Sequence, residues 1–334
     1  MDLHAQYLGL TLRSPLVASA GPLTATVAGV ERLAATGVGA VVLPSLFEEQ
    51  LRAEADRDAS LAEANTDSNP EASGYLPDPG AEHWPHRYLD LVSRAAGAVD
   101  IPVIASLNGV SAGGWTDYAA AIEQAGAAAI ELNIYYLPGD PLIPSRDAER
   151  RYTEILTTVK AVVSIPVAMK LTPYFSSFGE MAVVLDHAGA NGLVMFNRFM
   201  QTDIDPESFT VSGGFRLSTP AEAALPRAWI SRVRGLVSCS LAATTGVDTP
   251  ADVAAYLLAG ADVVMTASAL LRHGPGYASV LVDELSGWMA RKGFRSVGEL
   301  CGLLSVPAGG DEASYERAGY VTALQAANRH DGPW

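Results

Sequence analysis

Gln124-Ala125-Gly126-Ala127-Ala128-Ala129-Ile130-Glu131-Leu132-Asn133 is the stretch that decides the fold. A glycine just past an Ala-rich helical segment supplies the left-handed residue that ends a helix. The short apolar run behind it reads as a buried strand, here Ala129 to Asn133. The same unit returns as Leu258-Ala259-Gly260-Ala261 followed by Val263-Val264-Met265-Thr266, and as Thr36-Gly37 followed by Ala40-Val41-Val42-Leu43. Further runs of this kind are Leu16 to Ser19, Val103 to Ser106, Val167 to Lys170, Gly192 to Phe196 and Val237 to Ala242.

Strands that alternate with helices imply a parallel sheet, and parallel strands buried on both faces read as continuous apolar runs. Eight such runs fit a closed (β/α)8 barrel of the TIM type better than the alternative, an open doubly wound sheet. A barrel of this type takes about 250 residues. The 334 residues therefore divide into a barrel over 1–290 and a C-terminal helical extension over 291–334. Tyr315, Val321 and Leu324 mark that extension as a helix packed on the barrel or on a partner subunit.

Two polar, turn-rich stretches interrupt the rhythm, 45–85 after the second strand and 198–225 after the sixth. Both fall on the C-terminal face, where barrel active sites lie. They read as pocket walls or lids, with surface decoration or subunit contact as the alternative, equally weighted for the first stretch.

The bulk properties exclude several classes. With 49% hydrophobic and 18% charged residues the chain is globular. A net charge of −15 without a basic run argues against a nucleic-acid partner. The two cysteines, Cys239 and Cys301, have no metal-ligand spacing and are too few to hold an iron–sulfur cluster, so no metal is expected. No apolar run reaches about 18 residues and Met1 to Leu10 lacks a signal-peptide pattern. No membrane span, a cytoplasmic location and a homodimer are the expectations.

Polar residues end the strands: Ser19, Ser45, Ser106, Asn133, Lys170, Asn197, Thr244 and Thr266. A ring of such groups at one barrel mouth is a ligand site. Lys170 ends an otherwise apolar strand, so its ammonium needs a counter-charge or a bound anion; the alternative is a side chain snorkelling to solvent. Asn133 and Asn197 offer amide donors and acceptors to a planar ligand, or serve as turn formers. Ala243-Thr244-Thr245-Gly246-Val247 and Thr266-Ala267-Ser268-Ala269-Leu270 follow the last two strands, the recurrent place for a phosphate in barrels.

These segments resemble the dihydroorotate dehydrogenase family from Leu8 to about Gly276. Ser14-Pro15-Leu16-Val17 with Ala18-Ser19-Ala20-Gly21 is similar to the family's opening strand and the turn beneath its flavin. Met169-Lys170-Leu171-Thr172-Pro173 resembles the segment carrying the flavin-contacting lysine. Glu131-Leu132-Asn133, Phe196-Asn197-Arg198, Leu217-Ser218, Thr244-Thr245-Gly246-Val247 and Ala267-Ser268-Ala269-Leu270 match further family segments. The resemblance implies FMN, with contacts at Ala20, Ser45, Asn133, Lys170, Asn197, Ser218, Thr245, Gly246, Ala267 and Ser268. It also implies a small-molecule substrate at Asn133, Asn197 and Arg198, and a cation, Lys170, beside the flavin N1–C2=O edge, where it stabilises the anionic reduced form.

The departures bear on the reaction. The loop after the fourth strand reads Asn133-Ile134-Tyr135-Tyr136-Leu137-Pro138-Gly139, without the family's Cys or Ser base. Pro44-Ser45 stands where the family has Lys-Ser, and Thr245 and Ala267 replace glycines of the two phosphate loops. An unperturbed tyrosine, with a pKa near 10, is a poor base at neutral pH but can give a proton. Tyr135 or Tyr136 is therefore read as a proton donor in reducing an activated C=C bond, or both are aromatic walls.

The expected function is an FMN-dependent oxidoreductase that moves hydride between flavin N5 and a small planar CH–CH or C=C substrate, with Lys170, Tyr135 and Tyr136 as catalytic candidates. The alternatives are an authentic dihydroorotate dehydrogenase of pyrimidine biosynthesis and a non-redox flavin-binding or partner-binding subunit. A tRNA-modifying flavin barrel would want a basic face and a catalytic Cys, and neither is visible.

Overall fold

The computed structural model describes residues 1–50, 84–109, 115–136, 139–198, 201–214, 216–307, 317, 319–322 and 324–325. Its strands in chain order are β1 (Ala5–Tyr7), β2 (Leu10–Leu12), β3 (Leu16–Ala18), β4 (Ala40–Phe47), β5 (Val103–Gly109), β6 (Ala129–Ile134), β7 (Val167–Leu171), β8 (Gly192–Met195), β9 (Gln201–Asp205), β10 (Thr210–Gly214), β11 (Ser240–Ala243) and β12 (Val263–Thr266). The helices that bear on the argument are α1 (Val27–Ala34), α2 (Trp84–Ala98), α3 (Trp115–Gln124), α4 (Ser145–Lys160), α5 (Phe178–His187), α6 (Ala224–Val233), α7 (Pro250–Ala259), α8 (Ser268–His273), α9 (Tyr277–Lys292) and α10 (Val297–Leu300).

Eight strands close into a parallel barrel in the order β11-β12-β3-β4-β5-β6-β7-β8, the (β/α)8 architecture expected from the repeat. β5, β6 and β7 are buried at every residue, which explains their unbroken apolar runs. The expected helix-ending glycines take left-handed backbone: φ is 98° at Gly126 and 120° at Gly260.

Alternate strand residues face opposite sides, so each strand serves two cores. The outer core packs the strands against the helices. The inner one holds Val17, Ala40, Val42, Ile104, Ala129, Ala168, Val194, Ala242, Val263 and Met265. Several of these are alanines, which leaves room for a plug. The β1–β2 hairpin fills it with Ala5, Tyr7, Leu8 and Leu12. Gly192 belongs to the same fit, because a Cβ there would lie 2.6 Å from Leu8 Cδ2. The plug is tied to the far end of the chain: Leu8 N–H donates to Ser240 Oγ at 3.0 Å, Asp2 N–H to the Arg295 carbonyl at 2.9 Å, and Val297 N–H to the Asp2 carbonyl at 3.1 Å.

One irregularity shapes the upper barrel. The β4–β5 register shifts between Val42 and Ser45. There the Tyr88 hydroxyl, from α2, accepts from Ser106 N–H at 2.8 Å and donates to the Ser106 carbonyl at 3.1 Å. A helix side chain thus satisfies the backbone groups that the bulge frees.

The structure corrects some strand boundaries. The seventh run begins its strand at Ser240, not Val237, because the Ser238 and Cys239 N–H groups donate to the Asp186 carboxylate at 2.9 Å instead of joining the ladder. The second and third strands run on to Phe47 and Gly109. The 198–225 stretch contains the β9–β10 hairpin, and Ser212-Gly213-Gly214 lies within β10. The expected domain boundary at 290 falls inside α9. Beyond it, Gly302, Leu304 and Val306 N–H groups bond to carbonyls of Leu257, Leu258 and Ser231, so this part of the extension lies against α6 and α7. Val321 and Leu324 are exposed, and Tyr315 lies outside the described residues, as do 51–83 of the 45–85 stretch. Among the described residues no helix is long and apolar enough to cross a membrane, and no group of three or more His, Cys, Asp or Glu side chains could hold a metal.

Candidate active site

The inner faces of β5, β6 and β7 change character partway up the barrel. Ile104, Ala129 and Ala168 are apolar; above them the same face carries Ser106, Asn108, Glu131, Asn133 and Lys170. Register pairs Ser106 with Glu131, Asn108 with Asn133, and Asn133 with Lys170. The period of two therefore stacks a polar layer on an apolar floor.

Lys170 finds the counter-charge its position demands. Its Nζ lies 3.2 Å from Glu131 Oε1, with the Lys170 side chain 10% and the Glu131 side chain 1% exposed. The other carboxylate oxygen, Oε2, is buried and has no hydrogen-bond partner among the described residues. Asn197 Nδ2 donates to Asn133 Oδ1 at 2.5 Å, which joins the ends of β6 and β8. Ser45 and Ser106 hydroxyls lie 2.8 Å apart.

The loop after β11 is held in a conformation that favours glycine. Thr245 has φ 80° and Gly246 φ 72°. A β-branched residue in this region is an outlier that its surroundings must enforce. Here Tyr256, fully buried on α7, donates its hydroxyl to the Thr245 carbonyl at 2.6 Å and approaches the Thr244 carbonyl at 3.3 Å. Burial pushes the Tyr256 hydroxyl well above the ordinary tyrosine range, so it stays a neutral donor. Gly246 N–H donates to Ser218 Oγ at 3.2 Å and Ser218 N–H to Ser268 Oγ at 3.0 Å. Three chain segments meet in this way. Arg272 clamps them further, donating to the Ser218 carbonyl at 2.9 Å and pairing with Asp248.

These elements enclose a cavity of about 410 Å³ at the C-terminal mouth. Its lining includes Lys170 and the Thr244-Thr245 and Ala267-Ser268 loops. Among the described residues three cations line it, Lys170, Arg198 and Arg216, and no carboxylate does. The carboxylates stand behind: Glu131 on Lys170, Glu222 on Arg198 at 3.0 Å, and Asp203 on Arg216 at 2.6 Å. An acidic chain thus turns cations, hydroxyls and backbone toward its ligand. The donor set and the size fit a phosphate-bearing group of cofactor size.

Of the expected cofactor residues, Ala20, Lys170, Asn197, Ser218, Thr245, Ala267 and Ser268 line this cavity. Gly246 and Asn133 stand behind it, one bonded to Ser218 and the other to Asn197. Arg198 also lines it, but its guanidinium is committed to Glu222 and to the Arg216 carbonyl. Ser45 lies elsewhere, on a second cavity of about 690 Å³ bordered by α1, β4 and α2. Tyr136 packs in the outer layer with the Arg151 guanidinium 4.2 Å from its ring centroid. Tyr135 is half-buried, and neither tyrosine is among the described residues that line the cavity. Leu137 and Pro138 of that loop lie outside the described residues.

The sequence reading assigned no role to Glu131, Arg216, Glu222, Tyr256 or Arg272. Glu131 carried a signal, a carboxylate inside an apolar strand run. The others sit on turns or helix faces where charged and aromatic residues are ordinary.

Comparison with known proteins joins this geometry to a family. The family model described as dihydroorotate dehydrogenase matches residues 2–289. The chain belongs to the dihydroorotate dehydrogenase family. Its relatives in this family include a protein from Methanothermobacter thermautotrophicus named dihydroorotate dehydrogenase B (NAD(+)), catalytic subunit, 28% identical over 90% of this chain and 98% of that one. A Methanocella arvoryzae protein of the same name is 30% identical over 88% of this chain and 95% of its own. A dihydroorotate dehydrogenase A (fumarate) of Limosilactobacillus reuteri is 30% identical over 60% of this chain and 67% of its own.

Proposed function

We propose that this chain is an FMN-dependent oxidoreductase acting on a CH–CH or C=C bond of a small planar substrate. The observation that carries the reading is the cavity in which Lys170 meets the loops after β11 and β12, with cations, hydroxyls and, among the described residues, no carboxylate on its wall. Family membership supports the same chemistry.

In this reading FMN supplies a centre that accepts or gives hydride. The residues of the chain do the rest. Ser218, Thr245, Gly246, Ala267 and Ser268 would hold its phosphate end, and Ala20, Asn133 and Asn197 would hold the ring system with Lys170. The Lys170 side chain would lie beside the edge where negative charge gathers when such a group is reduced. Asn133, Asn197 and Arg198 would orient the substrate. Ser45, on the other cavity, acts through Ser106 at most. Tyr135 or Tyr136 gives the proton; the outward packing of Tyr136 favours Tyr135 for this role. Replacing each with Phe and following oxidation of the reduced protein by enones separates them. Unchanged rates in both would remove the tyrosines from the mechanism.

The test of the reading is the absorption spectrum of the purified protein, followed by anaerobic titration with dihydroorotate. A yellow protein bleached by another reductant but not by dihydroorotate supports an altered substrate. Bleaching by dihydroorotate supports the second reading, authentic dihydroorotate oxidation, which the names of the relatives favour. A colourless protein that cannot be reconstituted with FMN overturns both and leaves a partner-binding role. We further propose a cytoplasmic homodimer, with the barrel and its extension as one unit. The relatives named as catalytic subunits make a second kind of subunit the competing outcome, and light scattering of the protein purified from its source separates the two.

A further inference from the structure

Glu131 is the most deeply buried charge next to the cavity, yet the cavity does not touch it. It sits one layer below the mouth: register places it beside Ala168, while Lys170 stands one step higher beside Asn133. Lys170 lines the cavity and Glu131 does not, so the order inward from the ligand is ammonium, then carboxylate. Beneath the carboxylate lie the apolar side chains of Ile104 and Ala129. Its Oε2 is buried with no partner among the described residues, so the carboxylate is not held by a full set of hydrogen bonds.

Such a pair is a poor device for stability, since apolar replacements of buried ion pairs are often neutral or better. It is a good device for setting a charge. A cation beside a redox group favours its reduced, negatively charged form. A carboxylate fixed behind that cation opposes it, and does so strongly because little water screens the site. We propose that Glu131 is a positioning residue that holds the Lys170 ammonium at the cavity floor and offsets its charge, keeping the bound flavin a stronger hydride donor than a bare lysine would. This rests on the FMN reading above. It accords with a chain that lacks the usual base and is read as reducing an activated C=C bond.

The test is the potential of bound FMN, measured by equilibration with reference dyes in wild type, Glu131→Gln, Glu131→Asp and Lys170→Met. Glutamine keeps an acceptor for Nζ but removes the charge. The expected result is a yellow Glu131→Gln protein whose preference for reduced over oxidised FMN rises at least tenfold, a positive shift of about 30 mV for a two-electron couple. Glu131→Asp keeps the charge and stays within threefold of wild type, and Lys170→Met moves in the opposite direction to Glu131→Gln. An unchanged potential in Glu131→Gln overturns the proposal. So does a tenfold change in Glu131→Asp, which also serves if the glutamine variant does not fold. A wild-type protein that takes up no FMN is recognised by its lack of colour and removes the reading beneath the proposal together with it.

Discussion

Gly246→Ala tests whether the loop after β11 is fixed by backbone conformation alone or also by close packing. Gly246 has φ 72°, and a Cβ there would lie 2.6 Å from Ala223 N, 2.8 Å from Ala223 Cβ and 2.9 Å from the Thr219 carbonyl oxygen. The left-handed conformation costs an L-residue about 1–2 kcal/mol. Forcing backbone atoms apart adds about 1–3 kcal/mol, for roughly 2–5 kcal/mol in total. Gly9→Ala is the internal reference, because Gly9 has φ 76° but no atom within 4 Å of its Cβ position.

With about 2.1 cal/mol/K of unfolding entropy per residue, each kcal/mol lowers the Tm of a chain this long by roughly 1.4 °C. Gly9→Ala should therefore lose about 1–3 °C and Gly246→Ala about 3–7 °C. The contact also separates Ser218 from Thr245 when it yields, so FMN affinity should fall tenfold or more in Gly246→Ala and stay unchanged in Gly9→Ala. Thermal scans of the two proteins and a fluorescence-quenching titration of FMN into each apoprotein give both numbers. Equal losses of Tm, with equal FMN affinity, would refute the packing argument.

Tyr88→Phe should cost about 1–3 kcal/mol in urea denaturation, because Ser106 N–H and C=O lose their partner inside the barrel wall, while FMN affinity is unchanged. For Asp186, burial raises the carboxyl pKa, but hydrogen bonds from Ser238 and Cys239 outweigh it and leave the net value below the ordinary 3.8. Its contribution is thus present above the unfolded value and is lost as pH falls through the folded one. Asp186→Asn should be less stable than wild type at pH 7, with the gap closing below about pH 4; a gap independent of pH would contradict the assignment. Burial, then Asp186, pushes the Cys239 thiol up to about 12, and burial, then Asp262, pushes Cys301 up to about 11. At pH 8 both should be alkylated more than about a hundredfold slower in the native protein than in urea, as mass spectrometry of timed samples would show.

Much of the barrel was legible because a buried parallel strand has no polar face to hide it. Val263 to Thr266 begins and ends where the apolar run does. Val237 to Ser240 shows the limit: its apolar start is drawn off by the Asp186 carboxylate, and nothing in the run itself announces a partner more than fifty residues away. In the site, Lys170 and the last two loops were legible because a lysine ending an apolar strand, and small polar residues before a helix, are locally unusual. Arg272 and Tyr256 were not, since each acts through hydrogen bonds to loop residues that no spacing rule connects to it. By sequence Ser45 is a strand-end donor like the others, but the register shift in β4 places it beside Ser106 and on the second cavity.

The pairing of β3 with β12 has a consequence for how the protein is made. It joins Leu16–Ala18 to Val264–Thr266, so it closes a loop of roughly 250 residues at an entropy cost of about 5 kcal/mol, before any constant term. The seam also runs through the ligand cavity, whose wall takes Ser19, Ala20 and Gly21 from one side and Thr266, Ala267 and Ser268 from the other. A chain still emerging from the ribosome can assemble the Lys170–Glu131 layer from neighbouring units. It has no complete cavity until β12 is released and finds β3, which puts cofactor uptake after synthesis of the barrel rather than during it.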